Sequence, residues 1–461
     1  MIWVGGEIVD SRPHAVTVRG TIDELPLSSF QISVLILCGL VLVLDGFVSQ
    51  SIGFLAPPMA ETLGIPLGTF GPIFAAGLVG LLIAAMTMGP VADRWGRKWP
   101  IVFSVLTFAA FSALTARATS FDQLLFCRFL TGLGLGGALP NVFALTSEYV
   151  PERLRSVAVT AVACGMTSGP LLGGLISSVM IPKWGWRSVF YFGGLLSFAL
   201  SLVLIELLPE SVEFLTVRGV APQKIATIMT RICPELAGTR FNFPVSQDHR
   251  RRGLAVKDLF NEGRLVGTIL LWVVYFMNLL ILYVIVNWLP ALLRQAALPV
   301  SSGVTAISLF SLGGVVGCLM QGRLMNVFGT YAIMLGEFGL CGLLIGLLAF
   351  VVFSLPLVMT VTLLLGCVVQ GAQAGLAAIA SSFYPTQIRS TGLGWALGVG
   401  RIGSIVGPVL VGILLSMAWN PQQILLAGTI PAFCAAAAVM LSSRVQGRAS
   451  ALLSGTSSAP V

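Results

Sequence analysis

The sequence predicts an all-α membrane protein of twelve transmembrane helices arranged as two six-helix repeats. Three observations carry that expectation. Of 461 residues, 56% are hydrophobic and only 10% charged, and mean hydropathy is +0.95. An average soluble domain is roughly 25% charged, so this chain lacks the surface to dissolve as several soluble domains. Long stretches are free of charge altogether: 62–92, 156–182, 265–293, 295–322, 338–388 and 402–443. A helix needs about 20 apolar residues to cross the hydrocarbon, whereas a β-barrel would show short alternating segments. Finally, the chain matches itself at an offset of about 233 residues.

The elements follow in order. Residues 1–31 hold acids and no apolar core, so a cleavable signal peptide is not expected. The first six helices are placed at 32–54, 69–90, 100–118, 122–147, 156–180 and 186–208, forming an N-terminal bundle over 32–208. Residues 209–264 carry 15 charges, including Arg250-Arg251-Arg252, and form the one sizeable soluble segment. Six more helices, at 265–289, 301–322, 331–353, 356–382, 389–417 and 421–442, make a second bundle over 265–442. The run 338–388 must hold two of them, with a turn near Ser354 to Pro356. Residues 443–461 are left as a tail.

The repeat is visible residue by residue. Gly89-x-x-x-Asp93-x-x-Gly96-Arg97 aligns with Gly322-x-x-x-Asn326-x-x-Gly329-Thr330, and Asp45 and Pro57 with Asn278 and Pro290. Pro151-x-x-x-Arg155 aligns with Pro385-x-x-x-Arg389, and Gly132 and Gly137 with Gly366 and Gly371. Parallel six-helix repeats describe a carrier whose site lies between the halves near the midplane.

Lys and Arg set the orientation. With both termini and 209–264 on one side, that side holds 20 basic residues and the opposite loops hold four. The richer side is therefore expected in the cytoplasm. The net charge of +8 is read as this signal, not as a nucleic-acid footprint. Cys38, Cys127, Cys164, Cys318, Cys341 and Cys367 lie in apolar runs with no CxxC pair, and are read as small apolar helix residues. His14 and His249 both lie in polar segments, so no zinc, haem or His relay is expected within the membrane, and no cofactor. No nucleophile–base pair appears, and Gly132-x-Gly134-x-x-Gly137 lies in a membrane helix after no strand, so an enzyme is not expected.

The few remaining charges carry the chemistry. Asp45 lies near the middle of helix 1, where an ionised carboxylate costs about 2.5–3.5 kcal/mol on insertion scales. It is the candidate proton-coupling group, with a structural hydrogen bond to another helix as the alternative. Arg401 lies near mid-depth in helix 11 and needs an anion, either a carboxylate substrate or a permanent pair with Asp45. Arg128 opens Arg128-Phe-Leu-Thr-Gly132-Leu-Gly134-Leu-Gly136-Gly137, whose glycines allow close helix approach; snorkelling to the outer surface is its alternative. Asn278 and Tyr283 in helix 7, Gln373 in helix 10 and Trp395 in helix 11 could hold a planar ring and its hydroxyls. Asp93, Arg94 and Arg97 in the helix 2–3 connection are candidate gating residues, with Asp93 able to accept from a neighbouring helix N-terminus across a turn that Gly89 and Gly96 permit. Glu148, free to pair with Arg155 or Arg389, and Arg389 itself complete that set. Glu206 and Glu337 are placed near cytoplasmic helix ends, snorkelling or pairing with loops.

Together these segments resemble the aromatic acid:proton symporter family within the major facilitator superfamily. The resemblance runs through most of 25–442. It rests on Leu44-Asp45-Gly46-Phe47, Ile52-Gly53-Phe54-Leu55-Ala56-Pro57, the Arg128–Asn141 stretch, Ser147-Glu148-Tyr149, Leu271-Trp272, Trp288-Leu-Pro290, Tyr384-Pro385, Thr391-Gly392, Gly394-Trp395 and Gly398-Val-Gly-Arg401. It implies the major facilitator fold, and import of a hydroxybenzoate-like acid driven by the proton gradient across a bacterial inner membrane, by a monomer with both termini cytoplasmic. It ties Asp45, Asp93, Arg128, Glu148, Arg401 and Arg389 to transport. The departure is Val48, where the family commonly carries a second acid: coupling then rests on Asp45 alone, or the substrate is unusual. Gly165-x-x-x-Gly169-Pro170 resembles a signature of drug–proton antiporters in the same superfamily and, taken alone, argues for export, although such spacing also serves helix packing.

Overall fold

The computed structural model describes residues 2–4, 7–9, 18–218, 222–233, 259–261, 264–351, 354–385 and 388–455. Arg250-Arg251-Arg252 and both histidines lie outside them. A small hairpin, β1 (Ile2–Val4) with β2 (Glu7–Val9), precedes an otherwise helical chain. After α1 (Val18–Glu24) come α2 (Ser29–Leu63), α3 (Phe70–Trp95), α4 (Lys98–Thr115), α5 (Phe121–Tyr149) and α6 (Glu152–Leu207). Two short helices, α7 (Val212–Arg218) and α8 (Pro222–Ile232), lead to α9 (Leu265–Gln295), α10 (Val300–Phe328), α11 (Thr330–Val351), α12 (Leu355–Phe383), α13 (Arg389–Ser416), α14 (Pro421–Ala427) and α15 (Thr429–Gly455).

Eleven helical segments among the described residues are long and apolar enough to span a membrane. One of them, α6, has 56 residues. At 1.5 Å per residue it is more than twice the thickness of a bilayer core. Gly185 breaks it with φ 73° and ψ 172°, a conformation open to glycine, and so divides it into two spans. Twelve crossings result, as the charge-free runs predict. The real helices are longer than the expected ones. Ser28 and Gln31 form a reciprocal capping box at the start of α2. That helix then runs through Pro57 and Pro58 to Gly64, whose φ of 65° ends it.

The N-terminal half packs α2 on α6, α3 on α5, and α4 on both α5 and α6; the C-terminal half packs α9 on α13 and α15, and α10 and α11 on α12. The halves meet along α2–α9, α3–α13 and α6–α10. Large apolar side chains such as Met86, Leu195 and Leu343 stay exposed on the outer faces, which suits lipid rather than water. The start of the 209–264 segment is not free of the bundle: α8 packs on α2, and Arg231 lies over the Phe30 ring.

The contacts between the halves gather at the end of the molecule opposite the termini. A Cβ at Gly53 would overlap the Val286 carbonyl, and one at Gly71 would come within 2.9 Å of the Pro408 carbonyl. Phe74 meets Trp288 edge-on at 5.2 Å between ring centres. At the rim Arg294 donates to Glu61 at 3.1 and 3.2 Å. Towards the terminal end Gly89, Gly322, Gly394 and Gly398 have nothing within 4 Å of a Cβ position. Gly89 thus takes no part in the helix 2–3 turn, contrary to expectation. Gly96 makes that turn alone, with φ 88°, and its repeat partner Gly329 does the same with φ 86°.

Candidate functional site

The site begins with a crossing. Gly77 of α3 and Gly132 of α5 touch so closely that a Cβ on Gly132 would overlap the Gly77 carbonyl, and Gly136 presses equally on Leu81. This approach carries Arg128 inward. It is 3% exposed, so it does not snorkel. Its Nε and Nη1 have no hydrogen-bond acceptor. A buried guanidinium with unmet donors calls for an anion.

Arg128 lines a small cavity of about 20 Å³ with Ser49, Phe74, Leu78, Tyr283 and Asn287 among its walls. α2, α3, α5 and α9 all contribute, so the cavity lies between the halves. It has room for about one water and is far below the size of a small-molecule site, so a ring would need these walls to move apart. Tyr283 joins it to the second cation, because Arg401 Nη1 donates to the Tyr283 hydroxyl at 2.9 Å. Asp45, 1% exposed, lies one turn from Ser49 on the same face of α2, and Arg401 is the charge acting on it. Its Oδ1 has no partner. No ion pair joins Asp45 to Arg401 within 4 Å, which separates the carboxylate from a permanent bond with the arginine. Arg128 thus stands on the wall of a small, largely apolar cavity, Arg401 behind its Tyr283 wall, and Asp45 one turn beyond its Ser49 wall. A larger space between α9 and α11–α15 is lined by apolar residues and offers a carboxylate nothing.

Other expected residues go elsewhere. Asn278 Nδ2 donates to Gln373 Oε1 at 2.6 Å, so α9 and α12 satisfy each other there, with Asn278 Oδ1 left over. Trp395 is not brought to the cavity. Its ring stacks on Trp272 at 5.9 Å and 19°, because it lies on another face of α13 from Arg401. Ser49 and Phe74 were missed, although Ser49 is four residues from Asp45 and so on its helical face.

The gating candidates gather at the α3–α4 turn. Arg97 pairs with Asp93 at 3.3 Å and with Glu148 at 3.7 Å. Glu148 therefore meets Arg97, a partner not foreseen for it. Asp93 does not cap a helix. Glu210, absent from the expected set, does so: its Oε1 accepts from the backbone N–H of Arg97 at 2.6 Å and of Lys98 at 3.1 Å, at the start of α4. Tyr149 donates to the Glu210 carbonyl at 2.6 Å, and Gln31 to the Tyr149 carbonyl at 2.7 Å, tying α2, α5 and the segment after α6 together. Arg94 is exposed. Arg389 Nε donates to the Tyr384 carbonyl at 3.4 Å, across the α12–α13 turn. The Gly165-x-x-x-Gly169-Pro170 stretch packs on α2, where Gly169 meets the Val43 carbonyl and Gly46 the Met166 carbonyl. It is a packing surface next to Asp45.

Comparison with known proteins gives the family. Residues 38–408 match the Major Facilitator Superfamily. The chain is 39% identical to the 4-hydroxybenzoate transporter PcaK of Pseudomonas putida over 437 residues, covering 94% of this chain and 97% of that one. It is 37% identical to a gallate transporter of the same organism over 435 residues, covering 94% and 96%. Among solved structures, the nucleoside transporter NupG superposes with a TM-score of 0.71 at 15% identity, covering 90% of this chain and 100% of that one, which speaks for the fold alone. The chain is a multi-pass membrane transporter, not an enzyme, and it belongs to the aromatic acid transporter family of the Major Facilitator Superfamily.

Proposed function

We propose that this protein imports a hydroxybenzoate-like aromatic carboxylate together with protons, by alternating access, across a bacterial inner membrane with both termini in the cytoplasm. The observation that carries the reading is the balance of charge at the cavity. With Asp45 ionised, its charge offsets one of the two guanidiniums. With Asp45 protonated, both are available to an anion. Carboxylate binding and proton binding then favour each other, which is the coupling a symporter needs. Arg128, with two unmet donors, would take the carboxylate; Arg401 and Tyr283 would hold its far side; Phe74 and Leu78 would pack the ring.

Contacts between the halves at the end opposite the termini are what an inward-facing state would have. Asp93 is bonded within its own half, so the helix 2–3 connection would latch the cytoplasmic side only when that side closes. The relatives named as 4-hydroxybenzoate and gallate transporters support the substrate class. Tyr283 and Asn287 supply polar groups suited to a ring hydroxyl.

Proteoliposomes test this. An imposed pH gradient, acid outside, should drive uptake of labelled 4-hydroxybenzoate, and an uncoupler should abolish it. Uptake unaffected by both would refute proton symport. Efflux under the same gradient would instead favour the exporter reading.

A further inference from the structure

The C-terminal half holds a second acid within a span, half-buried, with an unusual neighbour. Glu337 lies two turns inside α11, not at its end. Gln321 of α10 is 2% exposed and donates Nε2–H to Glu337 Oε2 at 3.1 Å. The Gln321 Oε1 atom is buried and has no partner. Both Gln321 Oε1 and Glu337 Oε1 face the same spot above Gly371 of α12, lying 3.1 and 3.3 Å from where a Cβ there would start. Two acceptor oxygens thus look into one gap with no donor between them. An unmet buried acceptor costs about 1–3 kcal/mol. A proton on Glu337 Oε1 turns that oxygen into the donor the Gln321 carbonyl lacks.

The internal repeat shows that packing does not require this pair. Gln321, Glu337 and Gly371 stand, by the repeat, where Met88, Ser104 and Gly137 stand in the N-terminal half. There too the glycine is packed by the same two neighbours, since a Cβ on Gly137 would meet Ser104 Oγ and come within 3.0 Å of Met88 Cγ. The same three-helix contact is built once with a thioether and a hydroxyl, and once with an amide and an acid. An ionisable residue within a membrane span marks function by default, because lipid makes it expensive.

We propose that Glu337 is a second proton-carrying group of this transporter, holding its proton against the Gln321 carbonyl over Gly371. The proposal rests on the proton-symport reading above. It also supplies an acid in a chain that has Val48 after Asp45-Gly46-Phe47. The other titratable groups in reach are Cys318 on α10 and Cys367 on α12. On α11 itself stand Tyr331 and the buried Cys341, and Tyr331 bonds to Ser442 of α15. Arg323 on α10 and Arg444 and Cys434 on α15 are exposed, Arg448 lies further along α15, and α12 and α14 bear no charge. Glu337 therefore has no cation to hold it ionised among these neighbours. Gln373, two residues after Gly371, bonds to Asn278 on α9, five residues before Tyr283, so α12 and α9 link this site to the cavity.

The test is electrical. A monovalent carboxylate carried with two protons moves one net positive charge; carried with one it moves none. In proteoliposomes with 4-hydroxybenzoate, an inside-negative potassium diffusion potential should stimulate wild-type uptake. Glu337→Gln should lose that stimulation while retaining pH-gradient-driven uptake and substrate exchange. Gln321→Met with Glu337→Ser, the pair the N-terminal half already packs, should fold and behave the same way. Stimulation unchanged in these variants, or absent from the wild type, overturns the proposal and leaves symport standing. A wild type deaf to the pH gradient overturns symport itself, and is seen before any variant is made.

Discussion

The two halves share a plan and differ in how they use it. At the turn after the second helix of the N-terminal half, Arg97 is gripped by Asp93, Glu148 and, through the backbone, Glu210. At the same turn in the C-terminal half, Asn326 and Thr330 stand where Asp93 and Arg97 stand, and the glycine geometry alone survives. Mid-depth, Asp45 faces the site from one half, while its counterpart Asn278 is bonded to Gln373. The backbone turn is thus what the fold needs from the repeat, and the charges are what transport needs. Each half brings one arginine to the site, Arg128 on the cavity wall and Arg401 behind Tyr283, from helices that are not repeat partners.

The sharpest way to break this division is to remove a cavity cation. Arg128→Ala should weaken 4-hydroxybenzoate binding by about 10- to 100-fold, the loss of a charged hydrogen bond worth roughly 1.5–3 kcal/mol, in a titration of purified protein. Next, Asp45→Asn makes helix 1 like its repeat. Concentrative uptake should vanish, while substrate exchange across liposomes with no gradient persists. A loss of both would mean that Asp45 holds the fold or the substrate rather than the proton. Third, Glu210→Gln should cost about 1–3 kcal/mol, because two backbone donors at a helix start lose a charged acceptor; thermal unfolding in detergent reads it, with uptake reduced several-fold. Asn326→Asp, which charges the bare turn, should change uptake by less than about twofold, since an exposed charge without a partner is worth under roughly 0.5 kcal/mol.

Much of this was open to reading in one dimension. Twelve crossings follow from charge-free runs, because lipid penalises every unpaired charge, and Arg401 and Asp45 stand out for the same reason. Glycine spacing in the Arg128 stretch foretold the tight α3–α5 crossing. What stayed hidden depends on which way a side chain faces. Arg128 looked near enough to the outer end to snorkel, yet the Gly77–Gly132 contact turns it inward. Trp395 looked suited to the site by its nearness to Arg401, but six residues on a helix leave it on a different face. Glu210 was lost among the 15 charges of 209–264, where one functional acid has no distinguishing context. Glu337 was placed at a helix end because distance along the chain stood in for depth.

The closed end has a consequence for speed. Its contacts between the halves are close backbone approaches at Gly53 and Gly71, one edge-on ring pair, Phe74 with Trp288, and one exposed ion pair, Arg294 with Glu61, worth at most about 1 kcal/mol. When such surfaces separate, the Phe74–Trp288 ring pair is the main side-chain contact that has to slide apart. In lipid no hydrophobic force holds them shut. The seam behaves as a smooth parting plane rather than a set of interlocked teeth, so little friction should oppose its opening. Residence at that step would then be governed by whether the cavity's charges are balanced.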